Sequence, residues 1–233
     1  MSTIEQNLQA VRDSIAQAAA DAQRAPDDVT LLAVSKTFGA DAVLAAVRAG
    51  QAAFGENYLQ EALDKIVAIK LALPQGGPIW HFIGPIQSNK TRPIAEHFDW
   101  VHTVEREKIA ARLSEQRPAG LPDLNICLQV NISGEASKSG VTPAELPALA
   151  RAVAQLPRLR LRGLMAIPEP ETEVNLQRFA FAQLRALYEQ LKADGLALDT
   201  LSMGMSADLR AAVLEGATIV RVGSAIFGSR NYS

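Results

Sequence analysis

Short apolar runs alternate with longer stretches of helical periodicity along the whole chain. Runs of strand length fall at 29–35, 52–56, 79–84, 100–104, 125–133, 160–167, 198–203 and 218–223. Between them apolar residues recur at helical spacing near 40–49, 56–71, 88–97, 105–117, 143–156, 172–194 and 206–215. Gly50, Pro74 to Pro78, Pro118 to Pro122, Pro143 and Gly195 mark boundaries with turn chemistry. Upstream, Ile4, Leu8, Val11 and Ile15 form one apolar stripe, and Ser2 with Glu5 fits a capping box. The N-terminus therefore reads as an amphipathic helix lying on the protein.

Regular strand–helix alternation implies a parallel sheet with right-handed crossovers. Eight units in 233 residues fit a closed (β/α)8 barrel preceded by one extra helix. The competing arrangement is an open, doubly wound sheet. No G-x-G-x-x-G follows the first strand, where a dinucleotide fold would carry it. No long Gly-, Ser- or Pro-rich linker divides the chain, so one domain over 1–233 is expected.

Composition narrows the function classes. Lys and Arg total 23 against 25 Asp and Glu, a balance that argues against nucleic acid or an anionic membrane as an obligate partner. Cys127 is the single cysteine and lies inside the apolar run "NICLQV", so it reads as a small buried residue. The N-terminus carries acids early and has no continuous apolar stretch, unlike a signal peptide. No run approaches the roughly 20 apolar residues of a membrane span. A soluble, cytoplasmic protein is expected, and without an apolar stripe that demands a partner it should be a monomer or weak dimer.

Unusual residues gather where strands end, which is where barrels of this kind build their sites. "TLLAVSKT" ends the first strand on Lys36. Taken alone, that lysine reads first as a strand-flanking residue with its head in water. "FGENY" places Asn57 after strand two, and "HFIGPIQSNK" places Gly84 and Gln87 after strand three. "NISGEASKSG" puts a second lysine, Lys138, after strand five, and "MAIP" ends strand six at Met165. In strand eight Ile219, Arg221 and Gly223 share one face and Val220 and Val222 the other. If the valines meet the outer helices, Arg221 points into the barrel, where a guanidinium needs a partner. Leu32, Val34 and Lys36 share a face in the same way. Glu56 is a candidate partner, although alternation sets it opposite Asn57.

The loops after strands seven and eight suit a phosphate. Gly204 lets backbone approach closely, and Ser206 stands where it would cap a helix starting at Ala207. Gly223 and Ser224 add further amides and a hydroxyl. A phosphate site, a strand-end lysine and an interior arginine together point to pyridoxal 5′-phosphate, with the lysine amine forming a Schiff base to the aldehyde. Arg221 near the pyridine nitrogen would keep that nitrogen unprotonated and make the ring a poor electron sink.

The segments "LLAVSKT", "FGENY", "WHFIGPIQSNK", "SKSG", "RGLMAIP", "SMGMS" and "VRVGSAIFG" resemble, in the same order, those of the pyridoxal-phosphate homeostasis proteins. These are single-domain relatives of the alanine racemase N-terminal barrel. The resemblance covers essentially the whole chain. It implies that Lys36 is the cofactor lysine and that the protein acts in vitamin B6 and amino-acid homeostasis with no established reaction. It also implies an Asn57 contact near the ring, Ser206, Gly223 and Ser224 around the phosphate, and Arg221 at the pyridine nitrogen. Met165, at the end of strand six, belongs to the same expected cofactor set.

Two functions compete on this site. In the first, the barrel stores the reactive aldehyde on Lys36 and releases it to apo-enzymes, with Lys138 either a second amine near the exit or an exposed loop lysine. In the second, the chain is a racemase-like enzyme, which needs a base on each face of the substrate α-carbon. Lys36 supplies one. His81 is either the other or a packed strand histidine, and Tyr58, Tyr188 and Tyr232 have no assured place at the mouth. A cofactor-free Schiff-base aldolase is a third reading.

Overall fold

The computed structural model describes residues 2–134 and 139–229. Eight parallel strands close into a barrel in sequence order, β1 through β8, with β8 pairing back onto β1. They are β1 Thr30–Val34, β2 Ala53–Glu56, β3 Ile79–Phe82, β4 Trp100–Val104, β5 Leu124–Gln129, β6 Leu159–Met165, β7 Thr200–Ser202 and β8 Ile219–Val222. The helices outside them are α2 Ala40–Arg48, α3 Leu59–Ala72, α4 Thr91–His97, α5 Glu107–Gln116, α6 Leu146–Ala154, α7 Val174–Ala193 and α8 Leu209–Leu214. A preceding helix, α1 Thr3–Asp21, packs on α8 and on a short α9, Ser224–Phe227.

Alternation along each strand separates two apolar layers. Leu31, Ala33, Phe54, Val101, Leu164, Leu201, Val220 and Val222 face outward into the main core beneath the helices. Leu32, Val34, Ala53, Ile83 and Ile219 fill part of the barrel interior, with Trp100 against them. The closing register sets Leu32 beside Arg221, which keeps Arg221 on the interior side. α1 is started by the capping box of Ser2 and Glu5 and buries Leu8, Val11, Ile15, Ala18 and Ala19. Among the described residues no helix is long and apolar enough to cross a membrane.

Several boundaries differ from the periodicity. The stretch 88–97 divides into a 3-10 turn at Ser88–Lys90 followed by α4. The segment 206–215 shortens to α8, because Asp208 Oδ1 accepts from Met205 N at 2.6 Å and holds 206–208 as a turn. Ser206 therefore does not cap a helix at Ala207; Asp208 occupies the N-cap position. Pro143 lies in the turn before α6, and Pro147 takes the first helical turn, where a missing N–H costs little. β5 stops at Gln129, with Val130 left in a single bridge to Val141.

Candidate functional site

The segment that carries Lys36 is clamped on both sides. β1 ends at Val34, yet Ser35 N still donates to Gly55 O at 3.1 Å. Thr37 then adopts φ +69°, a left-handed conformation that is uncommon for a branched residue. Its amide donates to Glu61 Oε1 at 2.7 Å. Behind this bend lies a buried charged cluster. Lys65 Nζ donates to Glu56 Oε1 at 2.6 Å, to Ser35 O at 2.8 Å and to Glu61 Oε1 at 3.0 Å. Ser35 Oγ also donates to Glu56 Oε1, at 2.6 Å. Burial pushes the Glu56 carboxyl above its usual value, against the opposing pull of Lys65. Glu56 thus faces outward to α3 and is not the partner of Arg221.

Lys36 lines a cavity of about 300 Å³ at the C-terminal mouth of the barrel. Asn57, Met165, Ser206, Arg221, Gly223 and Ser224 line the same cavity, with Val34, Ile83, Ile167, Met205 and Ala207. Residues from six strand ends, far apart in sequence, meet there because parallel strands all finish on one rim. Gly84 allows this closeness: a Cβ there would run into the Asn57 backbone. A groove of about 640 Å³ between α1 and α8 shares Ser206 and Ala207 with the cavity, but neither Lys36 nor Arg221 lines it.

Arg221 forms the floor. Its guanidinium donates through Nη1 to Ser202 Oγ at 2.8 Å and through Nη2 to Ala166 O at 3.0 Å. Burial pulls its pKa down to about 10, with Asp208 acting in the opposite direction, so it remains a cation at neutral pH. The partners are neutral oxygens rather than the buried acid that the interior placement suggested.

The expected site residues thus divide. Lys36, Asn57, Met165, Ser206, Arg221, Gly223 and Ser224 are brought together. Lys138 and Tyr232 lie outside the described residues. His81 is buried inside the barrel, stacked on Trp100 with ring centroids 5.2 Å apart, and does not line the cavity. Tyr188 is buried on α7 with its hydroxyl on Leu198 O, and Tyr58 is exposed at the start of α3. Gly204 also serves the packing of the fold. It takes φ +96°, and a Cβ there would press on Ala212, so its missing side chain seats α8 against the barrel. Three contributors escaped the sequence reading: Lys65, His102 and Ser202. Lys65 shares the buried face of α3 with Ala62 and Ile69, a pattern visible as a charge on an apolar stripe.

A closed parallel barrel with a lysine at the end of β1 and an arginine on β8 defines the class. The model of the alanine racemase N-terminal domain matches residues 6–231. The chain belongs to the pyridoxal phosphate homeostasis protein family within that class. The protein of that name from Pseudomonas aeruginosa is 65% identical, over 100% of this chain and 98% of its own length. The one from Escherichia coli K12 is 55% identical, over 100% and 99%. Among solved structures, PipY of Synechococcus elongatus with PLP bound superposes with a TM-score of 0.82 at 38% identity, covering 97% of this chain and all of PipY. Alanine racemase from Corynebacterium glutamicum shares the fold, with a TM-score of 0.68 at 18% identity; the match covers 98% of this chain but 60% of the racemase.

Proposed function

We propose that this chain binds pyridoxal 5′-phosphate covalently through Lys36, as a Schiff base, and that it stores and delivers the cofactor without catalysing a reaction of its own. The observation that carries this reading is that Lys36 and Arg221 line one small cavity whose rim includes Ser206, Gly223 and Ser224. The residues fit the group. About 300 Å³ is at the small end of ligand cavities. The Lys36 amine would bond to the aldehyde carbon with loss of water. The hydroxyls of Ser206 and Ser224 and the Gly223 backbone suit a phosphate, and Asn57 Oδ1 is a buried acceptor without a hydrogen-bond partner among the described residues. When bound, the cofactor supplies an aldehyde that exchanges between amines. The chain's residues would orient it, and the Arg221 cation lining the cavity would disfavour a proton on the ring nitrogen. The PLP-bound state of PipY supports the same reading.

Apo forms of pyridoxal-phosphate enzymes are the proposed acceptors, and a cytoplasmic monomer or weak dimer is the proposed working form. In the racemase-like alternative a second base would face Lys36. His81 lies instead in the interior, and Tyr188 is committed to Leu198. The two readings separate when loaded protein is given single-enantiomer amino acids in one vessel and an apo-enzyme in another. Activation of the apo-enzyme without sustained inversion supports storage and delivery; catalytic inversion overturns it.

A further inference from the structure

Behind Arg221 a line of polar side chains crosses the barrel interior. Ser202 Oγ on β7 receives Arg221 and also lies 2.8 Å from His102 Nδ1 on β4. His102 Nε2 in turn lies 2.8 Å from His81 Nδ1 on β3. Ser202 and His102 are fully buried, and His81 nearly so. Four strands thus contribute one group each to a chain in a space that barrels usually fill with aliphatic layers.

The donors and acceptors set its direction. A guanidinium only donates, so Ser202 Oγ must accept from Arg221. The serine has one proton. If His102 donated to it, that proton would have no acceptor among the described residues, at a site with no exposure to water. If Ser202 donates to His102 Nδ1, Arg221, Ser202 and His102 are each satisfied. The one proton left over, on His81 Nε2, falls at the far end of the chain, on the one side chain of Ser202, His102 and His81 that is not fully enclosed. His102 then carries its proton on Nε2 and donates to His81 Nδ1.

We propose that Ser202 and His102, backed by His81, are positioning residues: a one-way hydrogen-bond chain that holds Arg221 against the floor of the cavity. The chain keeps Ser202 Oγ turned as an acceptor, so the guanidinium cannot swing away. Neutral imidazoles are required, since His102 must offer one donor and one acceptor and His81 must offer a bare Nδ1. Burial lowers the basicity of both histidines, which agrees with that requirement. None of these three residues lines the cavity, so they act through Arg221. Only the identity of the ligand above Arg221 rests on the proposed function.

Two measurements test this. Nitrogen-15 NMR of the histidine side chains, on protein without cofactor, should show His102 with Nε2 protonated and Nδ1 bare. A proton on Nδ1 overturns the direction, whatever ligand the cavity takes. The second measurement titrates pyridoxal 5′-phosphate into wild type, Ser202→Ala and Ser202→Thr, following affinity and visible absorption. Losing an acceptor for a charged donor should weaken binding roughly ten- to a hundredfold and shift the absorption band in Ser202→Ala. Ser202→Thr, which restores the hydroxyl, should recover both. A lowered melting temperature with unchanged affinity and band would reduce the chain to packing and overturn the proposal. Failure of wild type to bind would instead remove the proposed function and leave the NMR result to decide the chain.

Discussion

Lys65 Nζ and Glu56 Oε1 stand 2.6 Å apart, both buried, with the same ammonium on the carbonyl of Ser35, the residue before Lys36. The role proposed for Lys36 requires that its backbone stay in place. Here the placement comes from α3, which reaches under the bend and satisfies it with charge.

Replacing Lys65 with methionine should therefore be costly. It strands Glu56 beside Glu61 without a cation, and breaking a buried pair in this way costs about 3–5 kcal/mol. Urea unfolding should show that loss. The double variant Lys65→Met with Glu56→Gln should recover much of it, because the uncompensated charge is gone. Equal losses in the single and double variants would mean that shape, not charge, is what α3 supplies.

Acid should weaken the barrel early. Burial lowers the pKa of His81 to about 3 and moves His102 well down as well. Unfolded, each histidine protonates near pH 6.5, so below that the unfolded chain binds protons that the folded chain refuses. Stability is then fully present above pH 6.5 and falls as pH drops toward about 3. One such histidine contributes a loss of about 2 kcal/mol between pH 6.5 and 5. Denaturant midpoints across that window should fall, and fall less steeply in His81→Gln. A flat profile would contradict the neutral, buried pair.

Two residues of one loop should behave differently. Gly204→Ala forces a side chain into left-handed backbone and against Ala212, so it should destabilise the fold by about 1–3 kcal/mol. Ser206→Ala changes an exposed hydroxyl on the cavity rim, so stability should move by less than about 0.5 kcal/mol. Its pyridoxal-phosphate affinity should fall roughly tenfold, the loss of about one hydrogen bond to an anion. Calorimetry for stability and titration for binding separate the two; reversed effects would exchange their roles.

These residues show what could be read along the chain. Alternation in "IVRV" was enough to turn Arg221 inward, and apolar spacing was enough to find eight strands. The same alternation in "WVHTV" puts Trp100 and His102 inside. It does not reveal that His102 meets Ser202, which lies 100 residues further on and is reached only through barrel closure. Lys65 is a similar case: a charge on a buried stripe is visible, but its partners sit on other elements. Ser206 was misread as a cap because Asp208 competes for the same turn and takes Met205 N. That Gly204 also seats α8 is not legible from its own segment, because Ala212 meets it only after the turn is formed. Local chemistry names candidates; long-range closure chooses among them.

The central claim concerns the amine of Lys36. Purified protein should be saturated with pyridoxal 5′-phosphate, reduced with borohydride, digested and analysed by peptide mass. The reduced adduct should sit on the peptide containing Lys36, and Lys36→Ala should lose it together with the yellow colour. An adduct confined to other lysines, or none at all in saturated wild type, would contradict the account.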